Sequence, residues 1–302
     1  MISLSNVGII TIAFVLFRFS RFLYTALSSG NLLRYRHNGS YALVTGSTDG
    51  IGKELLFALA DRGFNVILHG RNPAKIEAVR KEVEARFPQT KLETVLADAC
   101  TADPAEVAER IAHLPVSVLI NNAGIGTFDG DMLFLNTASQ EQVQTMMSTN
   151  VWFPTLLTRA MIPRLAQPAL VVNVSSVVSE FAPPGLVVYG STKTFLNTLT
   201  AGVRREVARQ GMDITIQTLQ VGSVTTGPTL AAAGPMSPAP DVYAQYVLDR
   251  IGGKQELVMG YPMHWVPYGA ATFLPAPVLE IIFNVMMSMR KKAAGRTKFK
   301  AQ

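Results

Sequence analysis

Residues 41–52 read Tyr-Ala-Leu-Val-Thr-Gly-Ser-Thr-Asp-Gly-Ile-Gly. A short apolar run, Tyr41–Thr45, enters a turn built on Gly46, Gly50 and Gly52. The stretch from Gly50 to Asp61 then carries Ile51, Leu55 and Leu59 at helical spacing. The pattern predicts strand, tight turn, helix. The first-turn N–H groups of a helix have no intrahelical partner, so an anion such as a pyrophosphate is favoured there. The spacing is Gly-x3-Gly-x-Gly rather than Gly-x-Gly-x-x-Gly. Two readings stay open at this point, a phosphate cradle and a plain structural turn.

Outward from this unit the chain keeps alternating. Asn65–His69, Leu92–Ala97, Val116–Ile120, Leu170–Val174 and Ile214–Leu219 read as buried strands. Pro73–Phe87, Ala105–Ala112, Gln140–Leu165 and Tyr189–Gln210 read as helices between them. Near-continuous apolar strands separated by helices indicate a parallel sheet covered on both faces. The expected class is α/β, a doubly wound Rossmann-type parallel sheet in a single domain, with ligands at the carboxyl ends of the strands. Gly227–Pro240, rich in Pro, Gly and Ala, falls where a loop over a substrate site would lie.

Charge separates the ends from the body. The chain has 302 residues and a net charge of +6. Arg18, Arg21, Arg34 and Arg36 stand before Tyr41 with no acid, and Arg290, Lys291, Lys292, Arg296, Lys298 and Lys300 follow Glu280 with no acid. The body between carries 17 basic and 21 acidic residues. A nucleic-acid binder would carry its cations on the folded domain. Cations that flank the domain beside apolar runs suit an anionic membrane face instead, and no nucleic-acid partner is expected.

Residues 1–17 hold no charged side chain, with Val7–Phe17 the densest apolar stretch. Positive charge follows the run rather than preceding it, unlike a secretory signal, and leaves the C-terminal body on the cytosolic side. The run is near the lower limit of roughly 17 residues for a spanning helix, so a spanning anchor, an interfacial helix and a buried terminal helix are the alternatives. Trp265–Met289 holds one charge, Glu280, and three prolines, Pro267, Pro275 and Pro277. Prolines disfavour one straight spanning helix. Pro277–Met289 reads as a short apolar helix on the membrane or over the substrate pocket. Lys298 and Lys300 sit as in the lysine-based endoplasmic-reticulum retrieval signal, or form a plain solvated tail. The expected division is 1–38 membrane anchor, 39–260 catalytic domain and 261–302 apolar segment with basic tail. Cys100 is the only cysteine, so no intrachain disulfide forms; it reads as a small buried hydrophobe, with a reactive thiol the alternative. His37, His69, His113 and His264 lack metal-ligand spacing, and no metal is expected.

Two further stretches carry chemistry. At the end of the second strand, Leu68-His69-Gly70-Arg71-Asn72 offers no acid between Phe64 and Ala74. An acid there would read ribose hydroxyls, whereas a cation reads a 2′-phosphate; Arg71 is the candidate. Tyr189-Gly190-Ser191-Thr192-Lys193 puts a phenol and an ammonium on one helix face. The cation favours the phenolate, lowering a pKa of roughly 10, and a tyrosine so tuned exchanges a proton near neutral pH. Ser176, 13 positions before Tyr189, lies just past a strand with a hydroxyl able to polarise a carbonyl. Ser175 competes for that role.

With these residues assembled, Tyr41–Leu257 resembles the classical short-chain dehydrogenase/reductase family. Gly46, Gly50 and Gly52 match its glycine motif, Asp98 its adenine-contacting acid, Asn121-Asn122-Ala123-Gly124 its Asn-Asn-Ala-Gly motif, and Asn150, Ser176, Tyr189 and Lys193 its tetrad. The stretches VTGSTDGIGKELL and NVILHGRN are similar to the branch of 17β-hydroxysteroid dehydrogenases and very-long-chain 3-oxoacyl-CoA reductases. The resemblance implies NADPH/NADP as cofactor. It implies a binding set of Gly46, Ser47, Asp49, Gly50, Ile51, Gly52, Arg71, Asp98, Asn122, Ala123, Gly124, Tyr189, Lys193, Gly222, Val224 and Thr225. It further implies that Asn150 positions a water that relays the proton. One departure is Val221-Gly222 where the family has Pro-Gly, which loosens φ beside the nicotinamide.

The reading is an NADPH-dependent reductase of a lipophilic ketone, of steroid, 3-oxoacyl or secondary-metabolite type, working reversibly on the membrane of the endoplasmic reticulum and facing the cytosol. Its expected partners are a lipophilic ketone or alcohol and a membrane, with a homodimer left open. The competing reading is a non-catalytic, membrane-bound nucleotide-binding homologue. The intact tetrad opposes it and the altered Val221-Gly222 turn is its only support.

Overall fold

The structure is a computed structural model and describes residues 4–128, 132–226, 234–285 and 288. Seven strands form one parallel sheet in the order β3-β2-β1-β4-β5-β6-β7: β1 Tyr41–Val44, β2 Asn65–Gly70, β3 Leu92–Leu96, β4 Val116–Asn121, β5 Ala169–Ser176, β6 Ile214–Val221 and β7 Leu257–Met259. The strand order reverses between β1 and β4, so their carboxyl ends flank the crevice of a doubly wound sheet.

Alternation along the strands builds two cores. Ala42, Val44, Val66, Leu68, Val118 and Ile120 face α2 (Gly50–Asp61), α3 (Pro73–Arg86) and α8 (Pro240–Arg250). Leu43, Ile67, Leu119, Val171 and Ile216 face α4 (Pro104–Arg110), α6 (Phe153–Met161) and α7 (Val187–Arg209). Each fully buried Leu, Ile or Val contributes about 1.5–3 kcal/mol. The edge strand β3 departs from the expected buried pattern, with only Val95 buried. β7 and α8, which complete the sheet edge and cover it, carry no clear sequence signal because β7 is three residues long.

Two helical readings change in detail. Gln140–Leu165 is not one regular helix: α5 (Gln140–Met147) and α6 are joined by a π-type turn, Ser148–Trp152, which turns Asn150 into the interior. At the N-terminus α1 spans Leu4–Leu27, so Arg18 and Arg21 lie within the helix rather than after it. Within it, Gly8–Leu27 is long and apolar enough to cross a membrane by length and composition. Its apolar side chains are exposed, Ile9 and Ile10 by about two thirds.

The C-terminal prolines break the expected apolar segment into α9 (Trp265–Phe273) and α10 (Ala276–Val285). Phe22 of α1 packs edge-on against Trp265 at 4.9 Å and Phe273 at 5.8 Å, and the Arg18 guanidinium lies over Phe273. Residues 28–38 pack on the body. Leu32 and Tyr35 are buried, and Tyr35 donates to Thr215 Oγ1 at 2.8 Å and lies 3.1 Å from Gly252 O. The Lys298/Lys300 tail and residues 227–233 of the expected loop lie outside the described residues.

Candidate active site

A cleft of about 600 Å³ opens at the carboxyl ends of the strands. Its floor is the glycine turn between β1 and α2. Gly46 has φ +65°, a left-handed conformation that disfavours a side chain, and a Cβ there would lie 2.9 Å from Ala123 Cα. A Cβ on Gly52 would overlap Gly46 O and Asn122 Nδ2. Backbone therefore lines the cleft next to the first turn of α2, where N–H groups are free of helical partners. Asp49 caps that turn through Gly50 N–H and pairs with Lys75 at 2.6 Å, which pulls its carboxyl below the usual range.

The loop after β4 holds this floor from the other side. Asn122 Nδ2 donates to Thr45 O at 3.0 Å, while the N–H groups of Asn122 and Ala123 both donate to Thr45 Oγ1. Asn121 points away into a buried ladder: it donates to Thr158 Oγ1 and Asn173 Oδ1, and Asn173 donates to Thr200 Oγ1. That ladder ties β4, β5, α6 and α7 together beneath the site.

Beyond β2, Arg71 stands at the rim with its side chain 69% exposed and 3.5 Å from Asp98. Asp98 Oδ1 accepts from Cys100 N–H at 2.9 Å. Both line the cleft, together with Gly46, Asp49, Gly50, Ile51, Gly52, Asn122, Ala123, Gly124, Tyr189 and Lys193. Ser47 does not. It is fully buried, and its hydroxyl accepts from His69 N–H at 3.0 Å, so the side chain serves the turn. Gly222, Val224 and Thr225 are also absent from the lining; their neighbours Val221 and Thr226 take that place.

The hydroxyl and ammonium groups gather where β5 meets α7. Tyr189 and Lys193 lie one turn apart, and Lys193 Nζ stands 5.7 Å from the centre of the Tyr189 ring and donates to Val174 O at 2.8 Å. Ser176 is the last residue of β5; its Oγ accepts from Val178 N–H at 3.4 Å, and its hydroxyl pulls the Tyr189 phenol down against the effect of burial. Ser175, the competitor, spends its hydroxyl on Lys193 O at 3.2 Å. The two serines divide differently from expectation: Ser175 lines the cleft but has its hydroxyl engaged by α7, whereas Ser176 lies outside the lining and acts on the phenol.

One expectation is corrected here. From the sequence, the lysine should draw the phenol below its usual value. Burial instead raises the Tyr189 pKa, with the Ser176 hydrogen bond opposing, and burial lowers Lys193 to about 8. Desolvation is the leading cause of both shifts.

Asn150 is fully buried with its amide engaged. Nδ2 donates to Ile125 O at 2.8 Å and Thr192 Oγ1 at 3.1 Å, and Oδ1 accepts from Ile125 N–H at 2.8 Å. It locks the loop after β4 to the helix that carries Tyr189. Any water it holds must use its main chain.

Sequence reasoning misses two histidines. His69 Nδ1 accepts from Gly46 N–H at 3.2 Å, its Nε2 is buried without a partner, and burial pulls its pKa down to about 4. Its place at a strand end beside Gly70-Arg71 is a usable signal. His264, 42 positions from the Gly222 it touches, offers none.

The short chain dehydrogenase family profile matches residues 40–233. The very-long-chain 3-oxoacyl-CoA reductase let-767 of Caenorhabditis elegans is 31% identical over 98% of this chain and 96% of its own length. Very-long-chain 3-oxoacyl-CoA reductase-B of Danio rerio is 31% identical over 90% and 88%. Among solved structures, a 7β-hydroxysteroid dehydrogenase matches with a TM-score of 0.65 at 23% identity, covering 76% of this chain and 89% of that one. A metagenomic short-chain oxidoreductase in complex with NADP matches with a TM-score of 0.57 at 25% identity, covering 73% and 96%. The chain belongs to the short chain dehydrogenase family and is an oxidoreductase.

Proposed function

We propose that this chain is an NADPH-dependent reductase of a lipophilic ketone, and that its substrate is a long-chain 3-oxoacyl thioester. The observation that carries the reading is the pairing of Tyr189 and Lys193 in the lining of a cleft that also holds the glycine turn and Arg71, with Ser176 acting on the Tyr189 phenol from just outside that lining. The substrate class rests on the reductases of Caenorhabditis elegans and Danio rerio, which align over nearly the whole chain.

The cleft residues fit a dinucleotide phosphate. Glycines whose added Cβ would collide with backbone leave room for a pyrophosphate against the α2 N-terminus. Arg71 is an exposed cation at the rim, suited to a 2′-phosphate. The bound cofactor supplies the hydride. Ser176 and Tyr189 hold the substrate carbonyl oxygen as negative charge develops on it. The Tyr189 hydroxyl, kept protonated by its raised pKa, gives its proton to that oxygen. The Lys193 ammonium then faces the phenolate left behind. Asn150 keeps Tyr189 in register through Thr192, whose hydroxyl donates to Tyr189 O at 2.7 Å.

Membrane attachment belongs to the same reading. α1 and α10 expose apolar side chains, among them Ile9, Ile12, Leu16, Ile281 and Val285, and two such elements hold a protein more firmly than one. The body then sits at the cytosolic face of the endoplasmic reticulum, near an acyl substrate dissolved in the bilayer. The test is a panel of ketones, 3-oxoacyl-CoA thioesters of increasing chain length and steroid ketones, given to purified full-length protein with NADPH. Cofactor oxidation rising with acyl length supports the reading; oxidation with steroids alone overturns the substrate class.

A further inference from the structure

Residues 221–226 leave β6 along one wall of the cleft. Val221 and Thr226 line it, and the Thr226 methyl stands 3.3 Å from where a Cβ on Gly50 would lie. No proline restrains φ within this segment. The restraint comes from His264, in the 3-10 turn Pro262–His264 that precedes α9.

His264 is fully buried. Its Nδ1 accepts from Gly222 N–H at 3.1 Å, and its Nε2 lies 2.9 Å from Ser223 O. A carbonyl oxygen only accepts, so Nε2 carries the proton and the ring is held as one neutral tautomer. Tyr243 and Tyr261 pack against the imidazole, with ring centres 5.5 and 5.3 Å away. A Cβ on Gly222 would come within 2.6 Å of the ring, so the clamp needs glycine opposite it. At the far end of the segment Thr225 N–H donates to Pro238 O at 2.9 Å and Thr225 Oγ1 to Ser237 O at 3.0 Å. The imidazole thus fixes two consecutive residues at the start of the wall, and the 237–238 backbone fixes its end.

We propose that His264 is a positioning residue for the cofactor: its two hydrogen bonds hold Gly222 and Ser223 so that Val221–Thr226 closes the cleft wall. The proposal rests on the reading that the cleft binds NADPH. His264 touches no reacting atom.

Three variants of the full-length protein in detergent test it. His264→Asn keeps the acceptor for Gly222, His264→Gln keeps the donor for Ser223, and His264→Phe keeps a ring and loses both. The readouts are NADPH affinity by fluorescence titration, hydrogen exchange of the 221–226 backbone, melting temperature, and KM against kcat. His264→Phe is expected to weaken NADPH on the order of tenfold, the loss of two hydrogen bonds being partly transmitted to the ligand. Exchange over 221–226 quickens, KM for NADPH rises more than kcat falls, and Asn and Gln fall between. A folded Phe variant with wild-type affinity and exchange overturns the proposal, even if its melting temperature drops. Should that variant not fold, Asn and Gln decide, and wild-type values in both overturn it. If wild-type protein does not bind NADPH, the functional reading fails while the exchange readout still tests the clamp.

Discussion

Lys193 Nζ lies 5.7 Å from the centre of the Tyr189 ring, the lysine buried and the tyrosine half-buried where β5 meets α7. Burial raises the phenol and lowers the ammonium to about 8. At pH 7 the pair is therefore a neutral phenol beside a cation, the state in which a proton donor faces the substrate.

The first prediction is a pH profile. The free-enzyme pKa appears in kcat/KM. As pH rises through about 8, Lys193 loses its proton, while Tyr189 keeps its own. For ketone reduction kcat/KM is expected to fall above pH 8. Burying the charged lysine costs about 3 kcal/mol below that pH, and its hydrogen bond to Val174 returns about 1 kcal/mol. Lys193→Met is accordingly expected to be inactive yet more stable than wild type at pH 7 by about 2 kcal/mol, measured by denaturant unfolding. A flat profile to pH 10 or a destabilised Met variant contradicts this.

Cofactor choice rests on Arg71. Replacing it with Asp is expected to weaken NADPH roughly 10- to 100-fold, the loss of a charge-assisted bond of about 1.5–3 kcal/mol, and to shift preference towards NADH. The measurement is the ratio of kcat/KM for the two cofactors. With Ser47 buried in its turn, an unchanged ratio would transfer the phosphate contact to Lys75, the cation paired with Asp49 of the cleft lining.

Much of this site is legible because its signals are local. The glycine turn, the Tyr-x3-Lys face and Arg71 after β2 each depend on residues within one element, and strand–helix alternation is enough to stack them at one edge of a parallel sheet. The unread parts are contacts between distant positions or effects of burial. His264 reaches Gly222 from another element. Ser47 takes its reading from its neighbours in the glycine motif, but its side chain turns inward. The charged neighbour alone points to a lowered phenol pKa, whereas desolvation dominates. Asn150 enters the interior only through a π-type turn, which needs one helix to be packed on another before it shows.

His69 predicts acid sensitivity. Its folded pKa of about 4 lies below the usual 6.5, so the unfolded chain takes up a proton that the fold refuses. Stability is full above pH 6.5 and is lost as pH falls towards 4, by up to about 3 kcal/mol. His69→Asn keeps an acceptor for Gly46 N–H and is expected to flatten that slope. An equal slope in both proteins, followed by urea unfolding between pH 7 and 4, contradicts the assignment.

Membrane attachment is tested by truncation at residue 27. Residues 28–38 pack on the body, and removing Tyr35 would empty a fully buried site, a change of the kind that costs about 3–5 kcal/mol. Deleting 1–27 is expected to preserve the fold and NADPH binding while weakening, not abolishing, retention on carbonate-washed membranes, since α9 and α10 remain. Deleting 1–38 is expected to destabilise the body. Recovery of the full-length protein wholly in the soluble fraction would refute the anchor.

The most direct measurement compares wild type with Tyr189→Phe in NADPH oxidation by a long-chain 3-oxoacyl-CoA, with NADPH affinity measured on the same preparations. General-acid catalysis contributes roughly 10²- to 10⁴-fold, so turnover is expected to fall by that factor with NADPH affinity changed less than about threefold. Near-normal turnover in the Phe variant would contradict the account, as would wild-type protein that binds NADPH and leaves every ketone in the panel unreduced.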